Sequence, residues 1–123
     1  MHNSSEFQLY TQVVNYASYV RKNLCVNIPK IHSDIRIHLQ DESYNLVRTL
    51  YEAEFTKGNV RLKNITNLLV NISMLDFLTS ELQGLECISK KNIEISLRML
   101  THIKNMTYAW KKSIEASDKK VNC

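Results

Sequence analysis

Pro29, Gly58 and Gly84 are the only proline and glycines in a chain of 123 residues, and so little punctuation leaves no means of turning a chain repeatedly through short strands. The three breakers divide the chain into four long segments. Each segment repeats its apolar residues at spacings of three and four, the signature of one helix face. In the first, from about Ser5 to Cys25, the stripe is Tyr10, Val13, Val14, Ala17, Val20 and Leu24. Pro29 has no N–H to donate and biases Ile28 away from helical angles, so this helix ends before it.

Ser33 and Asp34 are candidate caps for a second helix with the stripe Ile35, Leu39, Leu46, Leu50 and Ala53, stopping at Lys57-Gly58. The third, Asn59 to Gln83, carries Ile65, Leu68, Leu69, Ile72, Leu75 and Leu82 and is closed by Gly84. Ser89 caps the fourth, which runs to about Ala116 through Ile93, Leu97, Leu100, Ile103, Thr107, Trp110 and Ile114. The expected fold is all-α, an antiparallel four-helix bundle forming one domain over residues 1–123, with its core at about 5–116 and a frayed polar tail at 117–123.

Two helices carry more apolar surface than one core takes up. Val70, Met74 and Phe77 project roughly opposite Ile65 and Ile72 at 100° per residue, and Ile95, Met99 and Met106 widen the arc of helix four. A subunit interface is the simplest sink for these six residues, which makes the chain an expected homo-oligomer. A thicker core, or a third helix enclosed by its own chain, would absorb them as well.

Charge is distributed unevenly. Residues 1–88 carry eight basic and nine acidic side chains, whereas residues 89–123 carry eight basic and three acidic. On helix four, Lys91, Arg98, His102, Asn105 and Lys112 fall in one narrow sector opposite the core stripe, a line of donors suited to a phosphate backbone. Lys90 and Lys91 occupy the first turn, where the helix dipole disfavours cations unless an anion is near. Lys90, Lys91, Arg98, His102 and Lys112 are therefore the candidate nucleic-acid contacts; a solvated lysine face has the same pattern.

Catalytic chemistry is sparse. No two of His2, His32, His38 and His102 stand at i, i+4, Cys25, Cys87 and Cys123 form no C-x-x-C pair, and there is no glycine-rich phosphate loop. No catalytic residue, metal or cofactor is expected, and the cysteines read as ordinary thiols. Ribonucleases of the HEPN type place four to six residues between an arginine and a histidine; Arg98 and His102 have three. No apolar run approaches the roughly 20 residues that span a bilayer, and Met1 to Glu6 lacks the features of a signal peptide, so a cytoplasmic protein without a membrane partner is expected.

The segment Leu50-Tyr51-Glu52-Ala53-Glu54-Phe55-Thr56-Lys57-Gly58-Asn59-Val60-Arg61, followed by a leucine-rich helix and then by Trp110-Lys111-Lys112-Ser113, resembles a family of four-helix bundles. That family holds the accessory variability determinant of diversity-generating retroelements and the proteins encoded in intervening sequences of 23S ribosomal RNA genes. Ile28-Pro29-Lys30 resembles the turn its members place between helices one and two, and the likeness covers about residues 9–114. Two departures stand out: Tyr108-Ala109 where members commonly carry a glycine, and Glu52-Ala53-Glu54 in place of Glu-Ala-Asn. The resemblance implies a homopentameric barrel whose basic surface engages a reverse transcriptase and its template RNA or an RNA/DNA hybrid. The intervening-sequence proteins, of unsettled and RNA-related role, are the alternative it leaves open.

Overall fold

The computed structural model describes the backbone of residues 4–122 and the side chains of residues 8–117. Four α-helices pack together: α1 (Ser4–Tyr19), α2 (Ser33–Glu54), α3 (Gly58–Leu85) and α4 (Lys90–Asn122). No strand occurs among the described residues. Each helix packs on two others in the cyclic order α1, α2, α3, α4, and the diagonal pairs face each other across the core.

The core draws mainly on the expected stripes of α2, α3 and α4, with Leu78 of α3 added and Ile35, Leu69, Leu97, Trp110 and Ile114 only partly buried at its edge. Leu39, Leu46, Leu50 and Ala53 meet Ile65, Leu68, Ile72, Leu75 and Leu82, and Ile93, Leu100 and Ile103 close the layer. Four serine and threonine hydroxyls share this interior, and each bonds a carbonyl of its own helix: Ser43 to Gln40 at 2.8 Å, Thr79 to Leu75 at 2.7 Å, Ser96 to Ile93 at 2.8 Å and Thr107 to Ile103 at 2.8 Å. Small side chains satisfied within their own turn add polar atoms to a core without needing a partner across it.

Along α1 and the turn that follows it, Val13, Ala17, Val20 and Leu24 are buried as expected, but the buried face is turned away from Tyr10 and Val14 and toward Leu9 and Tyr16. Leu9, Val13, Tyr16, Ala17 and Val20 are buried, Tyr10 is half-buried and Val14 is exposed. The helix is apolar on two adjacent faces, and packing against α2 and α4 selects the one that begins at Leu9. After Tyr19 the helix widens into a π turn (Val20–Leu24) and tightens into a 3₁₀ turn (Cys25–Asn27) that ends before Pro29, as proline requires. The Tyr19 hydroxyl donates to Asn92 Oδ1 at 3.2 Å, joining the end of α1 to the start of α4.

Helix ends also depart from expectation. Neither Ser33 nor Asp34 caps α2: the chain enters through a 3₁₀ turn (Lys30–His32), His32 takes the cap position without a side-chain bond, and Ser33 is already helical. Helix α2 stops at Glu54, and Gly58, at φ 59°, makes the turn into α3. Gly84 does not close α3. The helix continues to Leu85, and Glu86 takes the left-handed position at φ 56°. Ser89 behaves as expected, its Oγ accepting from the Asn92 N–H at 3.2 Å. Helix α4 passes the expected end at Ala116 and reaches Asn122.

None of the helices, among the described residues, is long and apolar enough to cross a membrane.

Candidate nucleic-acid interface

The outer face of α4 is set by its core face. Because Ile93, Ser96, Leu100, Ile103 and Thr107 point inward, residues half a turn away must face solvent. Lys90, Lys91, Arg98, His102, Asn105 and Lys112 are all exposed, with Lys90 and Lys91 in the first turn. No ion pair joins any of these side chains to another described residue. Exposed Glu94, three residues after Lys91 and four before Arg98, shares the sector, and Glu115 follows Lys112 by three. The donors thus form a line along one helix, interrupted by a carboxylate near each end. Such a line offers charge and hydrogen-bond donors to successive phosphates. It offers nothing that would select a base.

The six expected interface residues separate into two groups. Val70, Met74 and Phe77 on α3 are 56%, 42% and 55% exposed, a continuous apolar stripe facing away from the core. On α4, Ile95 is half-buried, and Met99 and Met106 pack against the bundle's own core. The free apolar surface expected on both helices is therefore concentrated on α3, where exposed Tyr108 of α4 joins Val70 and Met74 along a shallow groove.

A second apolar surface was not among the expectations. Between α1 and α2 lies a groove of about 1020 Å³ lined by Val14, Ala17, Tyr44, Val47, Tyr51 and Phe55, with Val60 closing one end. Tyr51 and Phe55 stack with ring centres 6.4 Å apart, and the Tyr51 hydroxyl donates to that of Tyr10 at 2.8 Å. Tyr44, Tyr51 and Phe55 stand at i, i+7 and i+11, so a secondary stripe on helix two was readable at helical spacing. It adjoins the stronger leucine stripe and is masked by it.

The segments that carry the family resemblance meet in space. Arg61 donates from Nε to the Ala53 carbonyl at 3.0 Å and from Nη2 to that of Glu54 at 2.9 Å, capping the end of α2. The same guanidinium lies over the Trp110 ring, 5.9 Å from its centre. Glu52 and Thr56 are drawn in by Asn64, whose Nδ2 donates to the Glu52 carbonyl at 3.2 Å and to Thr56 Oγ1 at 3.1 Å.

Among the described residues, no three of His, Cys, Asp and Glu gather as metal ligands would. Cys25 is buried, which pushes its thiol pKa up and away from reactivity, Cys87 is half-buried, and Cys123 lies outside the described residues. Arg98 and His102 lie one turn apart on the exposed face of α4.

No protein-family model, curated protein or solved structure matches the chain.

Proposed function

We propose that this protein is a non-catalytic, cytoplasmic accessory partner of a reverse transcriptase, holding the enzyme together with its template RNA during mutagenic copying in a diversity-generating retroelement. The reading takes the bundle as antiparallel, as four long helices with short links favour, and the working form as a homopentameric barrel, as the resemblance implies. One observation carries it: Arg61 bridges Ala53 and Glu54 to Trp110, so the two separated segments that resemble the family form a single structural unit. Supporting it, the exposed cations Lys91, Arg98, His102 and Lys112 lie on a face of α4 distinct from the apolar stripe of α3, which leaves them accessible if the stripe is covered by assembly. No cofactor or metal enters this function.

The test is co-expression with the reverse transcriptase encoded beside its gene. The expected result is co-elution of both proteins with bound RNA, at a mass of several 14.4 kDa protomers. Absence of any neighbouring reverse transcriptase, or separate elution of the two proteins, overturns the proposal.

A further inference from the structure

Among the described residues, the α1–α2 groove and the α3 stripe are two apolar surfaces that the bundle leaves open, and the groove is long enough for the stripe, with a complementary charge order. From Tyr44 to Phe55 the groove extends about 16 Å, room for the roughly 10 Å that separates Val70 from Phe77. The Tyr10–Tyr51 contact sets the start of α1 beside the end of α2, so Arg21 lies toward the Tyr44 end and Glu52 toward the Phe55 end. On α3 at 100° per residue, exposed Lys63 and Glu81 fall on the same side as Val70, Met74 and Phe77, one before the stripe and one after it. Each surface is mainly apolar along its length with opposite charges toward its ends; in the groove, Arg48 also lines the wall between Tyr44 and Phe55, beside Glu52.

We propose that the groove of one protomer receives the outer face of α3 of a second copy, with Glu81 of α3 meeting Arg21 and Lys63 meeting Glu52. This rests on the self-association proposed above and names the surfaces that produce it. Glu52 is engaged by Arg48 at 3.4 Å, but that pair is solvent-exposed and exchanges at little loss. A mainly aliphatic and aromatic lining favours an apolar helix face over a charged backbone as occupant. Groove and stripe lie on different faces, so the contact is heterologous: every open chain of copies leaves one groove and one stripe bare, and only a closed ring covers all of them.

The test uses two full-length variants altered only at exposed positions: Tyr44→Glu with Phe55→Glu in the groove, and Met74→Glu with Phe77→Glu on the stripe. Circular dichroism checks that helix content is retained, and light scattering reads the mass. Each variant alone is expected at the 14.4 kDa protomer mass, and their mixture at twice that, because each supplies the surface the other lacks. A second pair removes dependence on the apolar changes: Arg21→Glu and Glu81→Arg should each lower the wild-type mass, and combined in one chain should restore it. A wild-type oligomer whose variants fail to complement overturns the inference and leaves self-association standing. A groove variant that assembles normally does the same and frees the groove for another protein or a nucleic acid. A monomeric wild type overturns both.

Discussion

Arg61 holds the end of one helix and the face of another at once: its guanidinium bonds the last carbonyls of α2 and lies 5.9 Å from the centre of the Trp110 ring on α4. The last carbonyls of any helix have no partner within it, and the α2 terminus shows no basic residue in its own last turn. Arg61, eight residues after Ala53 and beyond the turn at Gly58, supplies the missing donors.

Arg61→Ala should therefore destabilise the fold by about 1–3 kcal/mol, the sum of two charge-assisted hydrogen bonds at a half-exposed site and a cation–π contact. Arg61→Lys should recover only part of this, since an ammonium cannot present the planar fork. Urea unfolding followed through Trp110, the chain's single tryptophan, measures both effects directly. A loss under about 0.5 kcal/mol in the alanine variant would remove Arg61 from the structural role assigned to it.

The two left-handed residues predict substitutions of opposite sign. Gly58, at φ 59°, has open space around it, so Gly58→Ala should cost about 1 kcal/mol through backbone conformation alone. Glu86 holds φ 56° with a side chain, and Glu86→Gly should gain a similar amount. Gly84 is helical with nothing within 4 Å of an added Cβ, so Gly84→Ala should gain about 0.5–1 kcal/mol. Thermal unfolding of the three variants checks the order.

Tyr16 predicts an alkaline response. It is fully buried, and burial raises its phenol pKa well above the ordinary value. Its pKa is higher in the folded state than in the unfolded one, so its contribution to stability is intact below about pH 10 and is lost as the pH climbs from there toward the raised value. Wild type should lose about 1.4 kcal/mol more per pH unit in that window than Tyr16→Phe. Near neutral pH the variant should match wild type within about 1 kcal/mol, because the Thr79 hydroxyl beside the phenol donates its own proton to the Leu75 carbonyl and no bond of full geometry reaches the phenol oxygen. Denaturant titrations at neutral pH and above pH 10 separate the two regimes; parallel pH slopes for the two proteins would contradict the assignment.

The α4 stripe predicts a salt dependence. If Lys91, Arg98 and Lys112 each meet a phosphate, replacing all three with alanine should lower the slope of log K against log salt by about two to three, at about 0.7–0.9 per contact. The loss should not depend on RNA sequence, since the stripe offers charge and no base-reading pocket. Glu94 sits among these cations, and Glu94→Gln should strengthen binding modestly. Equal affinities and slopes for wild type and the triple variant would return the stripe to a solvated face.

The number of helices, their approximate spans and the core positions of α2, α3 and α4 were settled by Pro29, the two glycines and the three-and-four spacing, because breakers and periodicity act within a few residues of chain. Exposure of Val70, Met74, Phe77 and the α4 cations followed from the same periodicity, which puts them opposite a face that must be buried. Tertiary structure decided what local pattern left degenerate. On α1 two adjacent apolar faces compete, and only contact with α2 and α4 buries Leu9 and Tyr16 while leaving Val14 to line a groove. Met99 and Met106 lie at the edge of the α4 core arc, where the approach of a neighbouring helix determines whether a flexible side chain is covered. Left-handed Glu86 in place of Gly84, and the meeting of Arg61 with Trp110, depend on how α3 is seated against its neighbours. Those are relations between distant segments, and a one-dimensional pattern of residues does not contain the distances that create them.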